Sequence, residues 1–125
     1  VKENDMPEEL TQRVFKAVDS FGPGALAELL AEDARFVFGN AKPLVGREAI
    51  TGGIQGFFST IRGLRHRLLN DWYAGADTIA ETEVTYDRLD GTCVSVPAVS
   101  IWHVRDDGLI DDYRVFVDLA PVYEQ

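Results

Sequence analysis

Three side chains in this 125-residue chain combine a reactive type with a setting that could use it: Glu83, His66 and Tyr113. Glu83 stands in "AETEVTYDRLDG". Strand alternation there puts Glu81, Glu83 and Thr85 on one face and Thr82, Val84 and Tyr86 on the other. Turned to water, Glu83 is an ordinary solvated glutamate. Turned into an apolar hollow, its carboxyl is pushed towards neutrality and can take or give a proton. His66 stands in "LRHRL", where Leu64 and Leu68 share its face and Arg65 and Arg67 share the other, which aims the imidazole inward. An inward imidazole can orient a carboxylate, accept a proton or bind a ligand oxygen; the alternative is a core histidine satisfied by the backbone. Tyr113 offers a hydroxyl to a ligand oxygen or a ring to a wall.

Placing these groups falls to a short series of elements. Residues 8–19 carry Leu10, Val14, Phe15 and Val18 at helical spacing, and "SFGPG" ends the pattern. A second helix is expected over about 24–32, a strand over 34–40, and a glycine-interrupted helix over 46–63 whose glycines serve close packing. Four strand-like stretches follow, at 64–73, 78–89, 92–105 and 109–119. The expected class is α+β, with three helices in the N-terminal half laid on one face of a curved, mostly antiparallel sheet.

Asp90–Gly91 and Asp107–Gly108 each read as a two-residue hairpin turn. Counting from those turns sets Glu83 opposite Ala98, Trp102 opposite Tyr113, Ser100 opposite Val115 and Ala98 opposite Val117. One face then holds Glu81, Glu83, Thr85, Ala98, Ser100, Trp102, Tyr113, Val115 and Val117. Small residues among aromatic ones leave a hollow suited to a ligand. Phe38 and Phe57 are expected to wall it with those residues. The loop after Tyr73 decides whether His66 meets Glu83: two or four residues bring them to one face, three separate them. The opposite face, with Val84, Tyr86, Val99, Ile101 and Phe116, is also apolar. A second copy of the chain is its expected cover, giving a homodimer.

Composition narrows the partners. The formal net charge of −9 opposes binding to nucleic acid or to an anionic membrane surface. No apolar run is long enough to span a bilayer. The single Cys93 forms no internal disulfide and is compatible with a reducing, cytoplasmic setting. Two distant histidines give no metal-site spacing, and no glycine-rich phosphate motif is present, so the expectation is no metal and no cofactor. Residues 1–125 read as one domain.

Taken in order, "LAEDARFVF", "VGREAI", "GLRH", "AETEVTYDRLDG" and "DDGLIDDYRVFVDLAP" resemble the SnoaL-like, or nuclear transport factor 2-like, superfamily. The resemblance covers nearly the whole chain. It implies a cone-shaped sheet closed by helices around a deep pocket, and a homodimer through the outer sheet face. It includes ketosteroid isomerases, limonene epoxide hydrolases and polyketide cyclases. The isomerase positions match Val14, Phe38 and Ser100 here, and the hydrolase positions match Glu83, Thr85 and Val115, so neither catalytic set is present. The polyketide cyclase pattern of a late Asp with a His on the preceding strand matches Asp118 and His103, although the register count puts both outside. An ion pair of Asp118 with Arg114 is the plainer reading. The expected function is acid–base chemistry (isomerisation, cyclisation or hydration) on a small hydrophobic, oxygen-bearing molecule, with Glu83, His66, Tyr113 and Asp118 as candidate catalytic residues. A ligand carrier and a protein-recruiting adaptor are the rivals.

Overall fold

The turns that set the sheet register are longer than Asp-Gly pairs. A computed structural model, which describes residues 6–124, shows three-residue loops at both. At the first, the Arg88 N–H donates to the Thr92 carbonyl at 2.7 Å and the Gly91 N–H to the Arg88 carbonyl at 3.0 Å. Gly91 has φ +87°, whereas Asp90 keeps a negative φ and uses its carboxylate to accept from the Thr92 N–H at 2.9 Å. A two-residue turn of the type read from Asp-Gly needs positive φ at both positions, so the loop gains a residue. The pairing shifts by one: Glu83 faces Pro97, Thr82 faces Ala98 and Val84 faces Val96.

The second loop is built alike, with the Arg105 N–H donating to the Leu109 carbonyl and Gly108 at φ +85°. Here a bulge between His103 and Val104 returns the residue that the loop added. Trp102–Tyr113, Ser100–Val115 and Ala98–Val117 therefore pair as the shorter turn would have paired them.

The elements are α1 (Pro7–Asp19), a 3₁₀ turn at Leu26–Leu29, β1 (Leu30–Phe38), β2 (Leu44–Val45), α2 (Arg47–Phe58), β3 (Ile61–Ala74), β4 (Asp77–Arg88), β5 (Cys93–Val104), β6 (Ile110–Val117) and α3 (Ala120–Tyr123). The six strands form one sheet in the order β2-β1-β6-β5-β4-β3. Neighbours run antiparallel except the parallel pair β1–β6. This is the α+β class expected from the sequence. The helix expected over 24–32 shrinks to the 3₁₀ turn, because Leu30 enters β1 and pairs with Ile110.

α1 starts with Pro7 in its first turn and Glu8 and Glu9 beside it, which suits the positive end of the helix dipole. It buries Leu10, Val14 and Phe15. After its end Phe21 takes φ +64°, a position that favours glycine, and its ring stacks on Phe58 at 4.5 Å. That packing ties the chain turn to α2. Of the glycines inside α2, Gly53 has a packing reason: a Cβ there would run into the Leu44 side chain. Gly52 and Gly56 face open space, contrary to the expectation of close packing.

Two apolar clusters fill the space under the helices. One gathers α1, β1 and Trp102, Ile110 and Tyr113; the other gathers Phe58, Ile61, Leu64, Val84, Tyr86, Val96, Ala98 and Val122. Each fully buried large side chain contributes about 1.5–3 kcal/mol relative to exposure. No helix among the described residues is long and apolar enough to cross a membrane.

Candidate functional site

Between the two clusters the sheet and helices enclose a cavity of about 420 Å³. Val18, Leu26, Phe36, Phe38, Phe57 and Val115 contribute to its apolar wall. Five polar side chains interrupt that wall: Lys42, His66, Tyr86, Ser100 and Tyr113. A mostly apolar cavity with a few convergent polar groups is the usual form of a small-molecule site.

His66 is held most firmly. Its Nδ1 lies 2.6 Å from Asp19 Oδ1, and its backbone N–H donates to Asp19 Oδ2 at 2.9 Å. Phe15 stacks on the ring at 4.8 Å between centroids. An ionised carboxylate accepts hydrogen bonds only, so Nδ1 carries the proton and, in the neutral ring, Nε2 carries the lone pair. Nε2 has no partner among the described residues, and the His66 side chain lines the cavity. Asp19 is the last residue of α1, at the negative end of the helix dipole, where a carboxylate is disfavoured. The imidazole answers that cost.

Tyr113 is buried beside Phe36 and Trp102, and burial pushes its phenol well above the ordinary range, against a smaller downward effect from the Ser100 hydroxyl. Tyr86 is likewise raised by burial, with further contributions from Tyr123, Asp19 and Tyr113. Both phenols stay protonated and act as hydrogen-bond donors. Lys42 is exposed and marks the mouth, whereas His66, Ser100 and Tyr113 lie deep.

The carboxylate singled out in the sequence is elsewhere. Glu83 lies on the outer sheet face, half-exposed, and accepts from Arg67 at 3.1 Å. The extra loop residue at Leu89–Gly91 turned it round. A bulge between Leu68 and Asn70 also separates it from His66. The Gly75–Ala76 connection is the two-residue length that would have brought the two together, but the bulge reverses the parity, so His66 faces Val84 and Arg67 faces Glu83.

Thr85 is outside with Glu83, bonded to Ser95 at 2.8 Å. Val84 and Tyr86, expected on the outer face, line the cavity instead. Asp118 is exposed and accepts from the Ala120 N–H at 3.0 Å, fixing the start of α3 rather than facing the cavity. It does not pair with Arg114, which donates to Asp112 at 3.1 Å. His103 pairs with Asp111 at 2.8 Å on the outer face, and that bond raises its pKa.

Phe38, Phe57, Ala98, Ser100 and Val115 do line the cavity, with His66 and Tyr113. Trp102 lies behind the wall, fully buried, and its Nε1 has no partner among the described residues. Val117 packs into the second cluster without reaching the cavity lining. Among the polar groups, Asp19, Lys42 and Tyr86 were not read as site residues from the sequence. No cluster of three or more His, Cys, Asp or Glu side chains with metal-binding geometry occurs among the described residues.

Glu83→Gln is therefore expected to leave ligand binding at the cavity unchanged. Its cost is limited to an exposed ion pair, at most about 1 kcal/mol, and chemical denaturation checks it. A large loss of ligand affinity would return Glu83 to the site.

The family model described as "SnoaL-like domain" matches residues 11–113. No curated protein matches the chain in sequence. Among solved structures, a hypothetical protein with a ketosteroid isomerase-like fold from Catenulispora acidiphila, in complex with trimethylamine, is 22% identical; the match covers 94% of this chain and 91% of that one, with a TM-score of 0.83. A putative SnoaL-like polyketide cyclase from Jannaschia is 20% identical over 95% and 93% of the two chains, with a TM-score of 0.77. A putative polyketide cyclase from Xanthomonas campestris is 21% identical over 91% of each, with a TM-score of 0.77. These likenesses establish the fold.

Proposed function

Because this chain belongs to the SnoaL-like domain family, whose fold hosts both enzymes and binding modules, we propose that it is an acid–base enzyme acting on a small hydrophobic, oxygen-bearing molecule. The observation that carries this reading is the 2.6 Å contact of Asp19 with His66 Nδ1, which leaves Nε2 as a free base at an apolar cavity. In it, Nε2 takes a proton from an acidic C–H or from water, and Asp19 stabilises the imidazolium that forms. Negative charge developing on the ligand oxygen is met by the Tyr113 and Ser100 hydroxyls, in a site where burial strengthens such contacts. The proton returns from the imidazolium to the product. Isomerisation, cyclisation and hydration all follow this outline. The polyketide cyclase names of two structural neighbours support a ligand of this class.

Proton exchange tests the reading without a known substrate. The protein is incubated in heavy water with a panel of cyclic ketones, diketones and phenolic ketones, and loss of acidic C–H signals is followed by NMR. Protein-dependent exchange of at least one compound is expected. Binding without exchange across the panel would favour the carrier. Absence of binding would favour the adaptor.

We propose further that the outer sheet face is covered by a second copy of the chain. Trp72, Ile79, Val99, Ile101 and Phe116 form a continuous apolar band over β3–β6, bordered by Arg67, Arg114, Glu81 and Glu83. A border holding both charge signs is self-complementary about a twofold axis. Sedimentation equilibrium is expected to give a dimer at micromolar concentration, and Ile101→Glu a folded monomer. A monomeric wild-type protein would contradict this part.

A further inference from the structure

Tyr86 is 2% exposed and lines the cavity, and its hydroxyl makes no hydrogen bond among the described residues. Its ring is held edge-on against Phe57 with centroids 5.9 Å apart. An unpaired hydroxyl on the wall of a mostly apolar cavity is a donor open to a ligand. The added residue of the Leu89–Gly91 loop puts it there, since with the shorter turn it would face outward.

Its position relative to the other polar groups is fixed by register. Along the inner face of β4, Tyr86 is followed by Val84 beside His66, Thr82 beside Ala98, Ala80 beside Ser100 and Thr78 beside Trp102, which pairs with Tyr113. Tyr86 therefore sits three rows from Ser100 and four from Tyr113. Val84, Ala98 and Val115 supply apolar lining of the same cavity. The register thus separates the Tyr86 hydroxyl along the sheet from those of Ser100 and Tyr113, with His66 in an intervening row.

We propose that Tyr86 is a second ligand-binding donor, and that the ligand is an elongated apolar molecule with an oxygen function at each end. One oxygen meets Ser100 and Tyr113, and His66 reaches the part of the ligand that lies between that oxygen and Tyr86. The other accepts a hydrogen bond from Tyr86 and sets the depth and direction of binding. This inference rests on the acid–base reading of the same cavity. Tyr86 is a positioning residue: it touches the far end of the ligand and takes no part in proton transfer.

The test uses matched probes that differ by one oxygen: phenol against hydroquinone, a naphthol against the corresponding naphthalenediol, and hydroxybiphenyl against biphenyldiol. Affinities are measured by calorimetry for wild type and Tyr86→Phe, while NMR follows His66 Nε2. For the pair whose length fits, the two-oxygen probe binds the wild type about threefold to tenfold tighter than its one-oxygen partner, the worth of one hydrogen bond. Tyr86→Phe removes that advantage, leaves the one-oxygen probe unchanged and does not lower thermal stability. Equal affinities for wild type and Tyr86→Phe across all pairs, with Nε2 still responding to the probes, overturn the Tyr86 role alone. If no probe binds or perturbs Nε2, the cavity reading fails and takes this inference with it.

Discussion

His66→Gln lowers exchange or turnover by about 10²–10⁴-fold while the protein stays folded and still binds its ligand. The magnitude is the usual contribution of a positioned general base. Glutamine retains a polar side chain of similar reach but has no basic nitrogen. Affinity survives because the cavity wall is mostly apolar and His66 is one of five polar groups in it. Asp19→Asn should fall between His66→Gln and wild type. It keeps a group beside Nδ1, but it no longer stabilises the imidazolium or enforces the Nδ1–H tautomer. Both variants are read in the heavy-water exchange assay, with circular dichroism as the check on folding. Equal activity of wild type and His66→Gln would remove His66 from the chemistry. A variant that bound less ligand but turned over what it bound at the wild-type rate would point to a carrier-like role for the imidazole.

Trp102→Ala destabilises the protein by about 3–5 kcal/mol, the range for emptying a large aromatic from a packed core. Trp102 is fully buried, edge-on to Phe15 at 5.8 Å and against Tyr113 at 5.2 Å. Those two neighbours set the site, since Phe15 braces His66 and Tyr113 supplies a donor. The substitution should therefore weaken ligand binding as well as stability. Trp102→Phe should cost less, because it also deletes the indole N–H that has no partner among the described residues. Trp72→Ala is the contrast. Trp72 is half-exposed on the outer face, and within a monomer its loss should stay near 0.5 kcal/mol or below. In a dimer that covers it, the loss appears as weaker association. Urea denaturation at two protein concentrations separates these effects. A Trp102→Ala variant as stable as wild type would contradict the packing described for the core.

Much of the architecture was legible because it rests on local patterns. α1, α2 and the strands β3–β6 follow from apolar spacing, and the Asp-Gly pairs mark two of the three hairpins that join those strands. His66 was placed inward by its leucine neighbours alone. Ala98, Ser100 and Val115 were placed by counting from Asp107–Gly108, and that count succeeded because a bulge at His103–Val104 cancelled the longer loop. At Asp90–Gly91 nothing cancelled it, so Glu83, Thr85, Val84 and Tyr86 all changed faces. One residue of loop length is invisible to composition, and a strand has only two faces. Asp19 was out of reach for a different reason: its partner lies 47 residues along the chain, and only the packing of α1 on β3 brings them together. The one local hint was a carboxylate at the wrong end of a helix.

Long-range proton–nitrogen NMR of the imidazole rings reads the state of His66 directly. The expected spectrum shows Nδ1 protonated and Nε2 bare, with Nε2 shifting when an apolar phenol or ketone enters the cavity and the tautomer preference weakening in Asp19→Asn. A His66 ring protonated at Nε2, or an Nε2 signal indifferent to every cavity ligand, would contradict the account.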